Sequence, residues 1–142
     1  MTGRLSPLLG LAVALISAAG IAYQIVLMRI LSIAQWHHFA YMVISLAMLG
    51  FGASGALLAL LRQSFAGRER LVLRWSALAL CAAVPASYGI SQHVPFETFE
   101  LATQRGQMLH LLTLYLVLSV PFFLVSTCIT CAFLLASRSV GA

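Results

Sequence analysis

The amino-acid sequence predicts an all-α integral membrane protein, a four-helix bundle with short loops and a short interfacial helix in the third loop. Three observations predict it. Charged residues make up 8% of the 142 residues and apolar residues 62%, whereas a soluble domain carries about 25% charged residues. So little charge cannot cover a globule in water, and lipid must be its solvent. A hydrocarbon core about 30 Å thick takes about 20 apolar residues per helical crossing, and four such stretches occur, at about 7–33, 39–61, 71–90 and 108–136. The connections between them are short, so residues 1–142 read as a single transmembrane domain.

The first span opens at Ser6-Pro7, where serine caps free N–H groups and proline needs no partner at the first helical position. Arg4, an apolar centre and the small residues Ser17, Ala18 and Ala19 also fit a secretory signal. Apolarity runs on past that possible cleavage point, so a retained span is expected. Gln24 and Arg29 lie in its last third, where Arg29 can snorkel toward headgroups. Gln35-Trp36-His37-His38 makes a tight polar turn into the second span. A basic loop, Arg62 to Arg70, leads to the third, which contains Pro85. In the longest connection, Ser91 to Gln107, the run Pro95-Phe96-Glu97-Thr98-Phe99-Glu100-Leu101 predicts the interfacial helix: proline first, acids in the early turn, Phe96 and Phe99 on one face. The fourth span is longer than the hydrocarbon core, with Pro121 as the expected kink. Ser126, Thr127 and Thr130 stand near enough to satisfy backbone groups there.

The net charge of +5 comes from eight arginines against three glutamates. Beside apolar spans this excess points to topology and lipid headgroups rather than nucleic acid. With the N-terminus in the cytoplasm, Arg4, Arg62, Arg68, Arg70, Arg74 and Arg138 all lie inside and only Arg29 and Arg105 outside. That obeys the positive-inside rule and predicts a multi-pass protein of the bacterial inner membrane with both termini cytoplasmic.

Helices in lipid gain little from hydrophobic burial and associate through small residues that let backbones approach. Gly10, Ala14, Ala18 and Ala22 form one such ridge on the first span. Gly52 with Ala56, and Gly55 with Ala59, form another on the second. The ridges serve either packing between the first two spans, which the short turn favours, or docking of a partner protein.

Chemistry-bearing residues are few. All four histidines, His37, His38, His93 and His110, map to the outer end, with Trp36, Tyr41, Glu97 and Glu100 at the same level. A haem or a quinone headgroup held there would use His38 and His110. The competing explanation is that amphipathic rings prefer the membrane boundary, and the spacing matches no metal motif. Cys128 and Cys131 form a CxxC inside an apolar helix, where cysteine acts as a small apolar filler; the same holds for Cys81. Gly50-Phe51-Gly52-Ala53-Ser54-Gly55 fits a dinucleotide-binding pattern in form, but it lies inside a span, without the strand and the acid that pattern needs. There is no Asp in the chain, and no catalytic constellation.

Four segments resemble bacterial membrane-bound spermidine synthase-like proteins. Ser17-Ala18-Ala19-Gly20-Ile21-Ala22-Tyr23-Gln24-Ile25-Val26-Leu27-Met28-Arg29-Ile30-Leu31 resembles their first span, and His38 through Gly52 the segment that follows. Val94-Pro95-Phe96-Glu97 and Tyr115 through Phe123 are similar to later blocks, in the same order. In that family the spans precede a Rossmann-type aminopropyltransferase domain. The present sequence holds no such domain, so the resemblance implies a membrane bundle kept without the catalytic part.

These readings predict a non-catalytic accessory or assembly subunit that docks laterally on a larger membrane complex, for instance an energy-converting one, with bound lipids and no obligatory cofactor. The alternatives are the membrane portion of a truncated or split spermidine synthase-like enzyme, and a small haem- or quinone-binding protein using the outer histidines. A transporter is disfavoured, because membrane-buried Asp and Lys are missing and no inverted repeat is evident.

Overall fold

The computed structural model describes residues 7–35, 39–61, 67–93 and 105–140. Among them lie four helices and no strand: α1 (Pro7–Gln35), α2 (Phe39–Leu60), α3 (Glu69–His93) and α4 (Arg105–Val140). Each holds a stretch long and apolar enough to cross a membrane: Pro7–Ile33, Tyr41–Leu60, Glu69–Ser91 and Leu109–Ser137. The protein is therefore an all-α, four-helix bundle of multi-pass membrane type, as its composition requires. The interfacial helix expected at residues 95–101 lies outside the described residues.

Local chemistry sets the helix ends. Pro7 does open α1. Before α3, Gly67 has φ +90°, a left-handed conformation that glycine adopts without a Cβ clash. Its N–H donates to both carboxylate oxygens of Glu69, at 3.2 and 3.1 Å. The Arg68 carbonyl then accepts from the N–H groups of Leu71 and Val72, both at 3.0 Å. An acid in the first turn also suits the positive end of the helix dipole. This capping starts α3 slightly ahead of its apolar run.

α4 continues as one helix of 36 residues through Pro121, about 54 Å at 1.5 Å per residue. Half of its most apolar window is buried, against 11% for α1. α4 is the central helix, and α1, α2 and α3 pack around it. Pro121 is fully buried beside Phe122 and has no N–H to offer the Val117 carbonyl one turn before it. The hydroxyls expected to help lie on the other side of it: Thr127 donates to the Phe123 carbonyl at 2.8 Å, and Ser126 reaches across to the Phe51 carbonyl at 3.5 Å.

Contacts fix the directions. Gly50 lies beside Ser119 and Phe122 and Ser54 beside Thr127, so α2 and α4 run the same way. Leu9 and Gly10 lie beside Ala132 and Ala136, and Gly20 beside Val125, so α1 runs against α4. The start of α1 and the end of α4 therefore share one end of the bundle, the terminal end. Toward the far end, Leu27 and Leu31 of α1, Leu46 of α2, and Leu114, Leu118 and Phe122 of α4 form one buried cluster.

Two glycines let backbones meet. A Cβ on Gly50 would fall 2.6 Å from the Phe122 Cβ and 2.9 Å from the Phe123 backbone nitrogen. A Cβ on Gly20 would fall 3.1 Å from a Val125 methyl. α2 thus lies directly on the α4 backbone, and α1 against its side chains. Close approach through small residues is the source of cohesion left to helices when the solvent is itself apolar.

Candidate functional site

Polar side chains tie α4 and its neighbours together at chosen points. Thr127 gives its proton to the Phe123 carbonyl, so in the Ser54–Thr127 pair, 2.9 Å apart and buried, Ser54 is the donor. The same reasoning orients the Tyr23–Ser87 pair. Ser87 donates to the Val84 carbonyl at 2.9 Å, which leaves the Tyr23 hydroxyl as donor across 2.9 Å from α1 to α3. The Tyr23 ring also packs on Phe122 with centroids 5.1 Å apart. Between α4 and α3, the Cys128 thiol donates to the Ser76 hydroxyl at 3.2 Å, and Ser76 donates back to the Val72 and Leu73 carbonyls. Each bond satisfies groups that lipid cannot. Together they form a scaffold that ties α1 to α3, α2 to α4 and α3 to α4.

What that scaffold leaves uncovered is the candidate site. Gly10, Ala14, Ala18 and Ala22 of α1 are all exposed, and so are Gly52, Gly55, Ala56 and Ala59 of α2. The expectation that these ridges pack the first two spans together is corrected here. Around Gly10, Gly52 and Gly55 a Cβ would meet nothing within 4 Å. Packing uses other positions, with Gly20 against Val125 and Gly50 against Phe122 of α4, while α1 and α2 also pack on each other. Toward the terminal end Leu9, Gly10 and Val13 of α1 line a hollow with Ala132, Phe133 and Ala136 of α4. Ala14, Ala18 and Ala22 of α1 and the ridge of α2 are exposed level with the second half of α4, whereas Gly10 stands at the edge of α4, beside Ala132 and Ala136.

The residues considered for a cofactor do not assemble. His110 is exposed on α4. His37 and His38 lie outside the described residues, as do Trp36, Glu97 and Glu100. No group of three or more His, Cys, Asp or Glu side chains fit to hold a metal occurs among the described residues. Of the cysteines, Cys128 and Cys131 are buried fillers as expected, whereas Cys81 is exposed and faces away from the core.

Sequence reasoning missed Gly20 and Gly50 as contact points, and the Tyr23–Ser87 and Ser54–Thr127 bonds. A signal for the second was present in principle: Ser54 and Thr127 are small hydroxyl residues in mid-span, the type that bonds across helices. The pairing itself needed the fold. Comparison with known proteins finds no matching family model, no matching curated protein and no matching solved structure.

Proposed function

We propose that this protein is a non-catalytic accessory subunit of the bacterial inner membrane, with both termini cytoplasmic, that docks laterally on a larger membrane complex through its two small-residue ridges. The observation that carries the proposal is the exposure of both ridges. Glycine and alanine on a lipid-facing surface contribute little contact with acyl chains, yet they allow a foreign helix to come close. Exposed small residues along two packed helices suit a helical partner seated there.

A second reading is favoured by one coincidence. Gly20, Tyr23, Gly50 and Phe122, the points of closest packing, all fall within segments that resemble the spermidine synthase-like proteins. In that reading the partner is a separately encoded transferase domain.

The test is purification from the native membrane in mild detergent at native expression level. The expected outcome is a stoichiometric membrane partner that is lost on Ala14→Leu with Ala18→Leu, or on Gly55→Leu, while the bundle still unfolds as wild type does. A lone monomer, or a partner indifferent to the ridge substitutions, refutes lateral docking through this surface. Mass spectrometric identification of the partner separates the two readings.

A further inference from the structure

At the start of α3 three arginines stand on one open concavity. Gly67, Arg68, Arg70, Leu71 and Arg74 line a hollow of about 650 Å³, and all three arginines are exposed. None has a carboxylate partner among the described residues. The nearest acid, Glu69, is buried at 6% exposure; its carboxylate accepts the Gly67 N–H and does not line the hollow. Arg70 and Arg74 sit four residues apart, a like-charge spacing that is unfavourable on an isolated helix unless an anion lies between. Arginine guanidinium groups match phosphate oxygens in pairs, with two parallel N–H donors each.

The hollow continues into an apolar stripe. Leu71, Trp75 and Leu78 follow at i, i+4 and i+7, the spacing of a single helix face, and are 57%, 65% and 64% exposed. Leu71 is three residues from Arg68 and three from Arg74, so the stripe begins between the arginines. Tryptophan beside arginine marks the level of the headgroups. The geometry is that of a charged head with an apolar tail running from it into the hydrocarbon.

We infer that Arg68, Arg70 and Arg74 bind the phosphodiester of an anionic phospholipid whose acyl chain lies along Leu71, Trp75 and Leu78. The charge complementarity selects an anionic over a zwitterionic headgroup, and the stripe selects a lipid over a soluble anion. The site holds one lipid of the leaflet at the terminal end, independently of what docks on α1 and α2.

Trp75 reports on the site directly. The full chain carrying Trp36→Phe, which leaves Trp75 as the one tryptophan, is reconstituted in vesicles of phosphatidylcholine with equal small fractions of brominated phosphatidylglycerol or brominated phosphatidylcholine. Trp75 fluorescence is expected to report a preference for the anionic quencher of about fivefold or more, the effect of one arginine at an anionic surface. The preference is expected to vanish in the Arg68→Gln, Arg70→Gln, Arg74→Gln variant and to survive in Arg29→Gln, whose arginine lies toward the far end. Equal quenching by the two lipids in the protein with all three arginines overturns the inference without recourse to any variant. Survival of the preference in the triple variant overturns it too. Millimolar inorganic phosphate is expected to leave the preference intact; displacement by phosphate shows a soluble-anion site and overturns the assignment to lipid.

Discussion

Gly50→Ala adds one methyl group at the tightest contact in the bundle. The new Cβ falls 2.6 Å from the Phe122 Cβ, 2.9 Å from the Phe123 backbone nitrogen and 3.0 Å from the Ser119 carbonyl oxygen. Two of these three atoms are backbone of α4, which no rotamer change can move aside. Carbon atoms rest at about 3.5–4.0 Å, so α2 must retreat by about 1 Å. Overpacking of this kind costs about 1–3 kcal/mol. One turn along, the same retreat stretches the Ser54–Thr127 bond from 2.9 Å beyond hydrogen-bond range. An interhelical hydrogen bond in a membrane protein contributes about 0.6 kcal/mol on average and up to about 1.7. Gly52→Ala is the matched control: it makes the same chemical change two residues away, where a Cβ meets nothing within 4 Å. Any gain in helix propensity, up to about 1 kcal/mol, is common to both variants and cancels between them. Gly50→Ala is therefore expected to be less stable than Gly52→Ala by about 2–4 kcal/mol. Equilibrium unfolding in mixed micelles, titrated with a denaturing detergent and followed by far-UV circular dichroism, measures the difference. If the two variants agree within about 0.5 kcal/mol, the backbone contact between α2 and α4 is not a source of stability and the packing argument fails.

Two further outcomes are expected from the same scaffold. A double-mutant cycle of Ser54→Ala and Thr127→Val should return a coupling of about 0.6–1.7 kcal/mol, read by the same unfolding titration; a coupling near zero would mean that the two hydroxyls do not meet. Among the three cysteines, Cys81 is exposed while Cys128 and Cys131 are buried. A lipid-soluble mercurial should therefore label one thiol in the folded protein and all three after unfolding, and peptide mapping that finds Cys128 labelled first would contradict the placement of α3 against α4.

The polar pairs connect this packing to the proposed role. A subunit that offers a docking face must keep that face in one shape, and Ser54–Thr127, Tyr23–Ser87 and Cys128–Ser76 fix α1, α2 and α3 relative to one another. With their donors engaged inside the bundle, these residues add no free polar donor to the outward surface. The ridges of α1 and α2 are exposed parts of that surface with little side-chain bulk between a partner and the backbone. The arginines of α3 sit apart from it, at the start of a different helix, and fit a lipid instead.

Composition and the length of the apolar runs determined by themselves that this chain crosses a membrane in four helices, because those quantities depend only on what a residue costs in hydrocarbon. The starts at Pro7 and the close match of helices to apolar stretches were legible for the same reason. The side of each helix that turns inward was not legible. In water a polar face marks the outside of a helix, but in lipid both faces are apolar, and the Gly10–Ala22 ridge has the same outward chemistry as the Gly20 face. Only the packing around α4 decided that a Cβ on Gly20 or Gly50 would press on a neighbouring helix while one on Gly10, Gly52 or Gly55 would meet nothing within 4 Å. Steric fit around a shared central helix is a property of four segments at once, and no one of them carries it alone.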